Sequence, residues 1–209
     1  MRIETADFVA GAQSARGLAV VIDVFRAFSI AAYAFARGAR TIVPVADLAE
    51  ARQLKHLHPD WLLIGERHGR PLLGLDCGNS PTELERLDLC DRTLIHTTHS
   101  GTQGLTAALS ADEAITGSLV NAGAIVRYIR SRAPASVTRE ELLGAPSAQK
   151  FFDPACDWAP ERDFELCTQL DAFDFVLRLE QGDEPAQLRR SDVPRNFPRP
   201  TGADRSVIP

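Results

Sequence analysis

Two acidic residues stand where an apolar run gives way to a turn. Asp23 and Arg26 close Val20-Val21-Ile22-Asp23-Val24-Phe25-Arg26, and Glu66 and Arg67 follow Trp61-Leu62-Leu63-Ile64-Gly65. A carboxylate at the carboxyl end of a buried strand faces the crevice in which α/β proteins bind ligands. Two such carboxylates could hold Mg2+, which usually takes one or two acids together with phosphate oxygens. An arginine beside them could clamp an anion through paired hydrogen bonds. The alternatives are a helix cap or a buried pair with Arg26 for Asp23, and a solvated loop charge for Glu66. His68 reads as a loop residue.

The run Thr97-Thr98-His99-Ser100-Gly101-Thr102 is the most distinctive. It has the form of a strand end, a set of hydroxyls, a glycine and then an apolar helix. Exposed N–H groups at a helix start form an anion cradle, with the helix dipole behind them. Gly101 permits close backbone approach. One hydroxyl suffices to cap the helix, so four invite a second role. His96 and His99 are a weak signal for a transition metal, though one of them could assist proton transfer. Ser80 is explained as the N-cap of a helix opening at Pro81, with Glu83 as the return half of a capping box. Asn79 is not so explained and could aim its amide at a ligand. Asn121 could cap the helix after it or line the same cleft. Cys77 has no base near it in sequence and is not read as a nucleophile.

The elements that must carry these residues form two related units. At a constant offset of 73 residues, Asp23 falls on His96, Ala34 on Ala107, Ile42 on Ile115 and Ala51 on Ala124. Each unit reads as strand, turn, helix, strand, over about 18–60 and 91–132. The apolar runs predict strands at Leu18–Val24, Thr41–Val45, Trp61–Ile64 and Phe173–Leu179. Pro44 marks a sheet edge or a strand end. Buried or amphipathic helices are expected over Phe28–Arg37, from Asp47 to about Leu57, over Leu119–Arg132 and over Pro160–Asp171. Gly65 to Ser80 is a long glycine-rich loop, which is more often functional than accidental. Ala133 to Lys150 is polar and irregular, with a short helix at Thr138–Leu143. The fold class is therefore α/β: a layered α/β/α arrangement with a mixed, mostly parallel sheet. Residues 1–179 are expected to form one domain. Residues 180–209, where prolines recur, are expected to be a tail that is disordered or wraps a partner surface.

Bulk properties narrow the function classes. The chain has 209 residues, a formal net charge of −5, 44% hydrophobic residues and four scattered cysteines. An acidic balance argues against broad nucleic-acid binding. The cysteines form no Cys-x-x-Cys pair, which argues against structural zinc and a disulfide framework. With no signal-peptide core and no run of membrane-spanning length, a cytoplasmic protein is expected.

Five stretches taken in order resemble the 2-phosphosulfolactate phosphatase family. They are Val21-Ile22-Asp23-Val24-Phe25-Arg26-Ala27, Gly65-Glu66-Arg67, Leu75-Asp76-Cys77-Gly78-Asn79-Ser80-Pro81, Thr97 to Thr102, and Gly117-Ser118-Leu119-Val120-Asn121-Ala122. The resemblance implies a Mg2+-dependent hydrolysis of a phosphomonoester on a small sulfonated hydroxy acid, a step of coenzyme M biosynthesis. This chain has His99 and Ser100 where the family usually carries threonine and asparagine. After Val137 a strand, a Cys-Ala-Gly-like turn and an acid-led helix of the family pattern are not recognisable. Glu140-Glu141 therefore carries little weight as a substitute.

The expected site follows. Asp23 and Glu66 hold Mg2+. Arg26, Arg67 and the backbone of Ser100, Gly101 and Thr102 hold phosphate. Thr97 or Thr98 orients water or substrate, and Asn79, Ser80 and Asn121 line the substrate. The ligand is a small anionic metabolite, and a homodimer is a further expectation. The competing reading is a non-catalytic binder of phosphorylated or sulfonated metabolites that has lost the acids after Val137.

Overall fold

Five successive apolar residues cannot expose either face of a strand, and four of the five in Leu18–Ile22 are buried. This strand is the second of nine in the computed structural model, which describes residues 2–6, 8–132, 136–141, 150, 151, 153, 155–182 and 185–194. The elements in chain order are β1 (Arg2–Ala6), α1 (Phe8–Ser14), β2 (Leu18–Ile22), α2 (Ala27–Ala36), β3 (Thr41–Pro44) and α3 (Leu48–Leu57). They continue with β4 (Leu62–Gly65), α4 (Pro81–Leu84), β5 (Thr93–Thr97), α5 (Gly101–Ala107) and β6 (Glu113–Gly117). The last are α6 (Ala122–Arg132), β7 (Ser136–Glu141), α7 (Glu161–Thr168), β8 (Phe175–Glu180) and β9 (Gln187–Asp192).

The strands form one sheet in the order β1-β7-β2-β6-β8-β9-β3-β5-β4. The first four run parallel, as do β3, β5 and β4, while β8 and β9 are inserted as an antiparallel hairpin. The two related units are interleaved. β2 of the first pairs with β6 of the second, from Leu18 opposite Glu113 to Ile22 opposite Gly117. β3 of the first pairs with β5 of the second.

Helices cover both faces, as the layered expectation requires. α2 is buried at eight of its ten residues because its sequence offers no polar stripe beyond Ser29. Together with Val21, Ile64, Leu94 and Leu177 it builds the largest core cluster. Burying Phe28 or Ile30 contributes roughly 1.5–3 kcal/mol each. On the opposite face Tyr128 and Ile125 of α6 cover Val20 and Ile115, and Ala51 of α3 covers Val43, Leu63 and Ile95. Asp47 caps α3 by accepting from the Glu50 N–H, as expected.

Two expectations are corrected and one left open between two readings is decided. β7 occupies Ser136–Glu141, so Thr138–Glu141 is extended rather than helical, and a strand runs from Ser136 through Val137 to Glu141. Hydrogen bonding to neighbours on both sides holds it, despite a polar sequence without periodicity. The remainder of the expected irregular stretch, 142–149, lies outside the described residues. The Pro-rich segment contributes β9, which lies inside the sheet between β8 and β3. Pro44 ends an interior strand, opposite His96, so it marks a strand end and not an edge.

Gly65 closes β4 at φ +147°, and a Cβ there would lie 1.8 Å from the Thr97 carbonyl oxygen. No rotamer change relieves a clash with backbone. Gly65→Ala is expected to cost at least about 3 kcal/mol, a fall of roughly 6–12 °C in the midpoint of thermal unfolding for a chain of this size. A midpoint unchanged in a thermal melt would show that the β4–β5 pairing is not as tight as described.

Candidate active site

Three antiparallel steps separate β6 from β3, so the two parallel runs point in opposite senses along the ladder. Sheet twist of about 20–25° per strand pair turns one run toward the other. The carboxyl ends of β2 and β5 meet, with Ser100 Oγ 3.4 Å from Asp23 Oδ2. Asp23 continues the β2 ladder through its N–H to the Gly117 carbonyl. Its other carboxylate oxygen accepts from the Ala27 N–H at 3.3 Å, at the start of α2. Both contacts are long, so the carboxylate retains lone pairs for another partner. The start of α5 presses on it directly. A Cβ on Gly101 would lie 2.5 Å from Ala27 Cβ and 2.7 Å from Asp23 Oδ2.

Glu66 follows β4 and is held by two loops. Its Oε1 accepts from the His99 N–H at 2.7 Å, and its Oε2 accepts from the Gly69 N–H at 2.5 Å. Asp23 and Glu66 are both buried. Burial raises the Asp23 carboxyl to about 6; the Ala27 N–H opposes this, and the negative charge of Glu66 adds to it. Lys150 is an element the sequence did not announce. A Cβ on Gly69 would lie 3.8 Å from its Nζ. Its charge favours the ionised form of Asp23. Burial lowers its own pKa, as does Arg26, while Glu66 and Asp23 push the other way. Its only sequence signal was a lone cation just before Phe151-Phe152.

The arginines are committed to protein partners. Arg26 does not pair with Asp23. Its Nη1 donates to Asp163 Oδ2 at 2.6 Å and to the Trp158 carbonyl, and its Nη2 donates to the Gly69 carbonyl. Asp163 Oδ1 accepts from Ser80 Oγ and the Thr82 N–H, both at 2.9 Å. Asp163, in the first turn of α7, is fully buried and was missed, because nothing local in sequence ties it to a residue 137 positions earlier. Arg67 donates to Thr97 Oγ1, the Ala46 carbonyl and the Glu66 carbonyl.

The hydroxyl turn is largely self-satisfied. Thr98 Oγ1 accepts from the Thr102 N–H at 3.0 Å, and Thr102 Oγ1 accepts from the Thr98 N–H at 2.9 Å. Ser80 caps α4 by accepting from the Glu83 N–H. Glu83 does not return the bond to Ser80; its carboxylate accepts from the Gly78 N–H. Asn121 bonds within the β6–α6 turn and to the Phe175 carbonyl, so it acts as a cap. His96 is fully buried, and burial lowers its pKa to about 3, which keeps the ring neutral. Its Nε2 meets Asn79 Oδ1 at 3.1 Å. Burial and Glu83 push the Cys77 thiol up, so it is no nucleophile.

Asp23 and Glu66 suit a hard cation that completes its shell with water and phosphate oxygens. Among the described residues, no group of three or more His, Cys, Asp or Glu is placed to hold a metal alone. β7 does end in acids beside Asp23: the register sets Glu140 next to Val21 and Glu141 next to Ile22. The reason for giving this pair little weight, the lack of a preceding strand, no longer holds.

Comparison with known proteins names the class. A family model for 2-phosphosulpholactate phosphatase matches residues 4–151. A probable 2-phosphosulfolactate phosphatase of Bacillus subtilis is 28% identical over 206 residues, covering 82% of this chain and 90% of that protein. Proteins of the same description from Caldicellulosiruptor saccharolyticus and Carboxydothermus hydrogenoformans are 41% and 44% identical, over 53% of this chain in each case. Those two matches span only about half of the relatives' own length, 46% and 45%. The class is that of phosphoric monoester hydrolases built on an α/β sheet. Within it, the chain belongs to the 2-phosphosulpholactate phosphatase family.

Proposed function

We propose that this protein is a Mg2+-dependent phosphatase acting on the phosphomonoester of a small sulfonated or carboxylated hydroxy acid, with 2-phosphosulfolactate as the leading candidate. The observation that carries this reading is two buried carboxylates touched by one turn: His99 donates its N–H to Glu66, Gly101 packs on Asp23, and the charge of Glu66 acts on Asp23. Burial does most to raise Asp23 and the charge of Glu66 adds to it, and a bound cation relieves both. Asp23 and Glu66 would hold the metal, which when bound neutralises phosphoryl charge and lowers the pKa of water.

The remaining work falls to the chain's own groups. The Ser100 hydroxyl and the Gly101 backbone present donors beside Asp23, and Lys150 supplies positive charge to the phosphate. Arg67 holds the Glu66 loop and Thr97 in place through its three bonds. Arg26 and Ser80, both bonded to Asp163, position the α2 start and the Asn79 turn. Asn79 offers its amide N–H2 to the substrate, its oxygen being engaged by His96. In a dry, preorganised site such donors act mainly by stabilising developing charge. No α-helix in the described residues is long and apolar enough to cross a membrane. We place the enzyme in the cytoplasm because its substrate class consists of soluble anionic metabolites.

The direct test is phosphate release from 2-phosphosulfolactate with Mg2+, with a chelator, and after Mg2+ is restored. Release that needs Mg2+ is expected. Tight calorimetric binding of the ester with no phosphate released under any metal would replace this reading with that of a non-catalytic binder.

A further inference from the structure

Two imidazoles stand at the mouth of this site without a part in the scheme above. His68 and His99 are both exposed, and their rings lie 4.2 Å apart between centroids with planes inclined at 44°. They sit on different loops that share one anchor. Gly69, next to His68, and His99 itself each donate a backbone N–H to opposite oxygens of Glu66. Ser100, next to His99, reaches Asp23. The ring pair therefore borders both carboxylates.

The turn that carries His68 was not built for an imidazole. Arg67 and Arg70 exchange both backbone hydrogen bonds, at 3.1 and 3.0 Å, and the two residues between them have φ values of 54° and 80°. That is a two-residue turn of the type that favours asparagine followed by glycine. Gly69 fits it without strain. His68 occupies a position where asparagine is the better turn former. The turn alone gives no reason for the ring that packs on His99.

We propose that His68 and His99 form the wall that recognises the second anionic group of the substrate, its sulfonate or carboxylate. This rests on the phosphatase reading and names the specificity residues within it. A second anion entering the site meets repulsion from Asp23 and Glu66, so it needs donors held clear of them. Arg67 cannot turn to it, because its guanidinium is engaged by Thr97, Ala46 and Glu66. An imidazole N–H donates to an oxyanion in either tautomer of the ring. Two rings in contact, on loops anchored to Glu66, are also preorganised, which reduces the ordering cost of binding.

The experiment compares two esters on the magnesium-loaded enzyme: 2-phosphosulfolactate, which carries a carboxylate and a sulfonate besides its phosphate, and phenyl phosphate, which carries neither. The variants are His68→Asn, which suits the turn, and His99→Asn and His99→Gln, which keep the backbone donor to Glu66. The ratio of kcat/KM for the first ester to that for the second is expected to fall about tenfold in each variant, through KM. Calorimetry with sulfolactate and metal-free protein should show a matching loss of affinity. Equal losses on both esters, or an unchanged ratio, would overturn the proposal. If wild-type protein hydrolyses neither ester, the phosphatase reading fails. The wall then stands if sulfolactate binding weakens about tenfold in the variants, and falls if it does not.

Discussion

Asp23→Asn is expected to lower phosphate release by about 10²–10³-fold, the scale for losing one preorganised charge contact, and yet to raise the melting temperature of the metal-free protein at pH 7. The second effect follows from the first residue's setting. Its carboxyl lies near 6 in the folded protein against 3.8 for the free group, so the folded state holds the proton more tightly. Below about pH 3.8 the group is neutral in both states and burial carries no charge penalty. Between there and pH 6 the unfolded chain ionises first, and the fold loses stability. Above pH 6 the penalty is complete, on the order of 3 kcal/mol for a two-unit shift. Asparagine stays neutral throughout and can still accept from the Ala27 N–H. Melts in chelator should show the variant level with wild type near pH 3.5 and higher by roughly 6–12 °C at pH 7. A variant that is less stable at pH 7 would mean that Asp23 is a structural cap first and a functional acid second.

Asp163→Ala is expected to do the opposite and damage the fold. The side chains of Arg26 and Asp163 keep only 2% and 0% of their full exposure, and each serves as the other's counter-charge. Removing the carboxylate leaves a guanidinium buried without its pair and takes an acceptor from Ser80 and Thr82. Breaking such a pair costs about 3–5 kcal/mol. That corresponds to a fall of roughly 6–20 °C in a thermal melt. The double substitution Arg26→Met with Asp163→Leu should recover part of the loss, since a packed apolar pair carries no desolvation penalty. A full double-mutant cycle by denaturant unfolding reads this as a coupling between the sites. Additive single effects would show that the pair is not a unit.

Residues that were legible in the sequence share one property: local chemistry reveals them. β2, β3 and β4 are apolar runs, β5 and β6 follow from the repeated unit, and the capping roles of Asp47 and Ser80 depend on neighbours three residues away. Asp23 and Glu66 stand out because an acid that ends a buried strand is conspicuous, and both are buried. What stayed hidden depends on distance. β9 reads Gln-Leu-Arg-Arg-Ser-Asp, with only Leu188 buried, and it exists as a strand because β8 pairs with it at six positions. β7 is equally polar and is held by partners on both sides. Neither carries the period-2 alternation on which strand reading rests. Asp163 and Lys150 reach the site from the far end of the chain, and only the folded sheet shows which residues they meet.

The interleaving of the two related units has a consequence for how the molecule holds together. In neither unit do its own two strands lie side by side: β2 and β3 are parted by β6, β8 and β9, and β5 and β6 by β3, β9 and β8. A lone unit would have strand edges and no ladder. Each unit is the other's template, so neither can be peeled off as a lobe or fold ahead of its mate. A single copy of such a unit could complete its ladders only by finding a second copy, β2 to β6 and β3 to β5. The proposed active site lies at the seam of that exchange, with Asp23 from one unit and Ser100 from the other, and their contact forms only when both are in place.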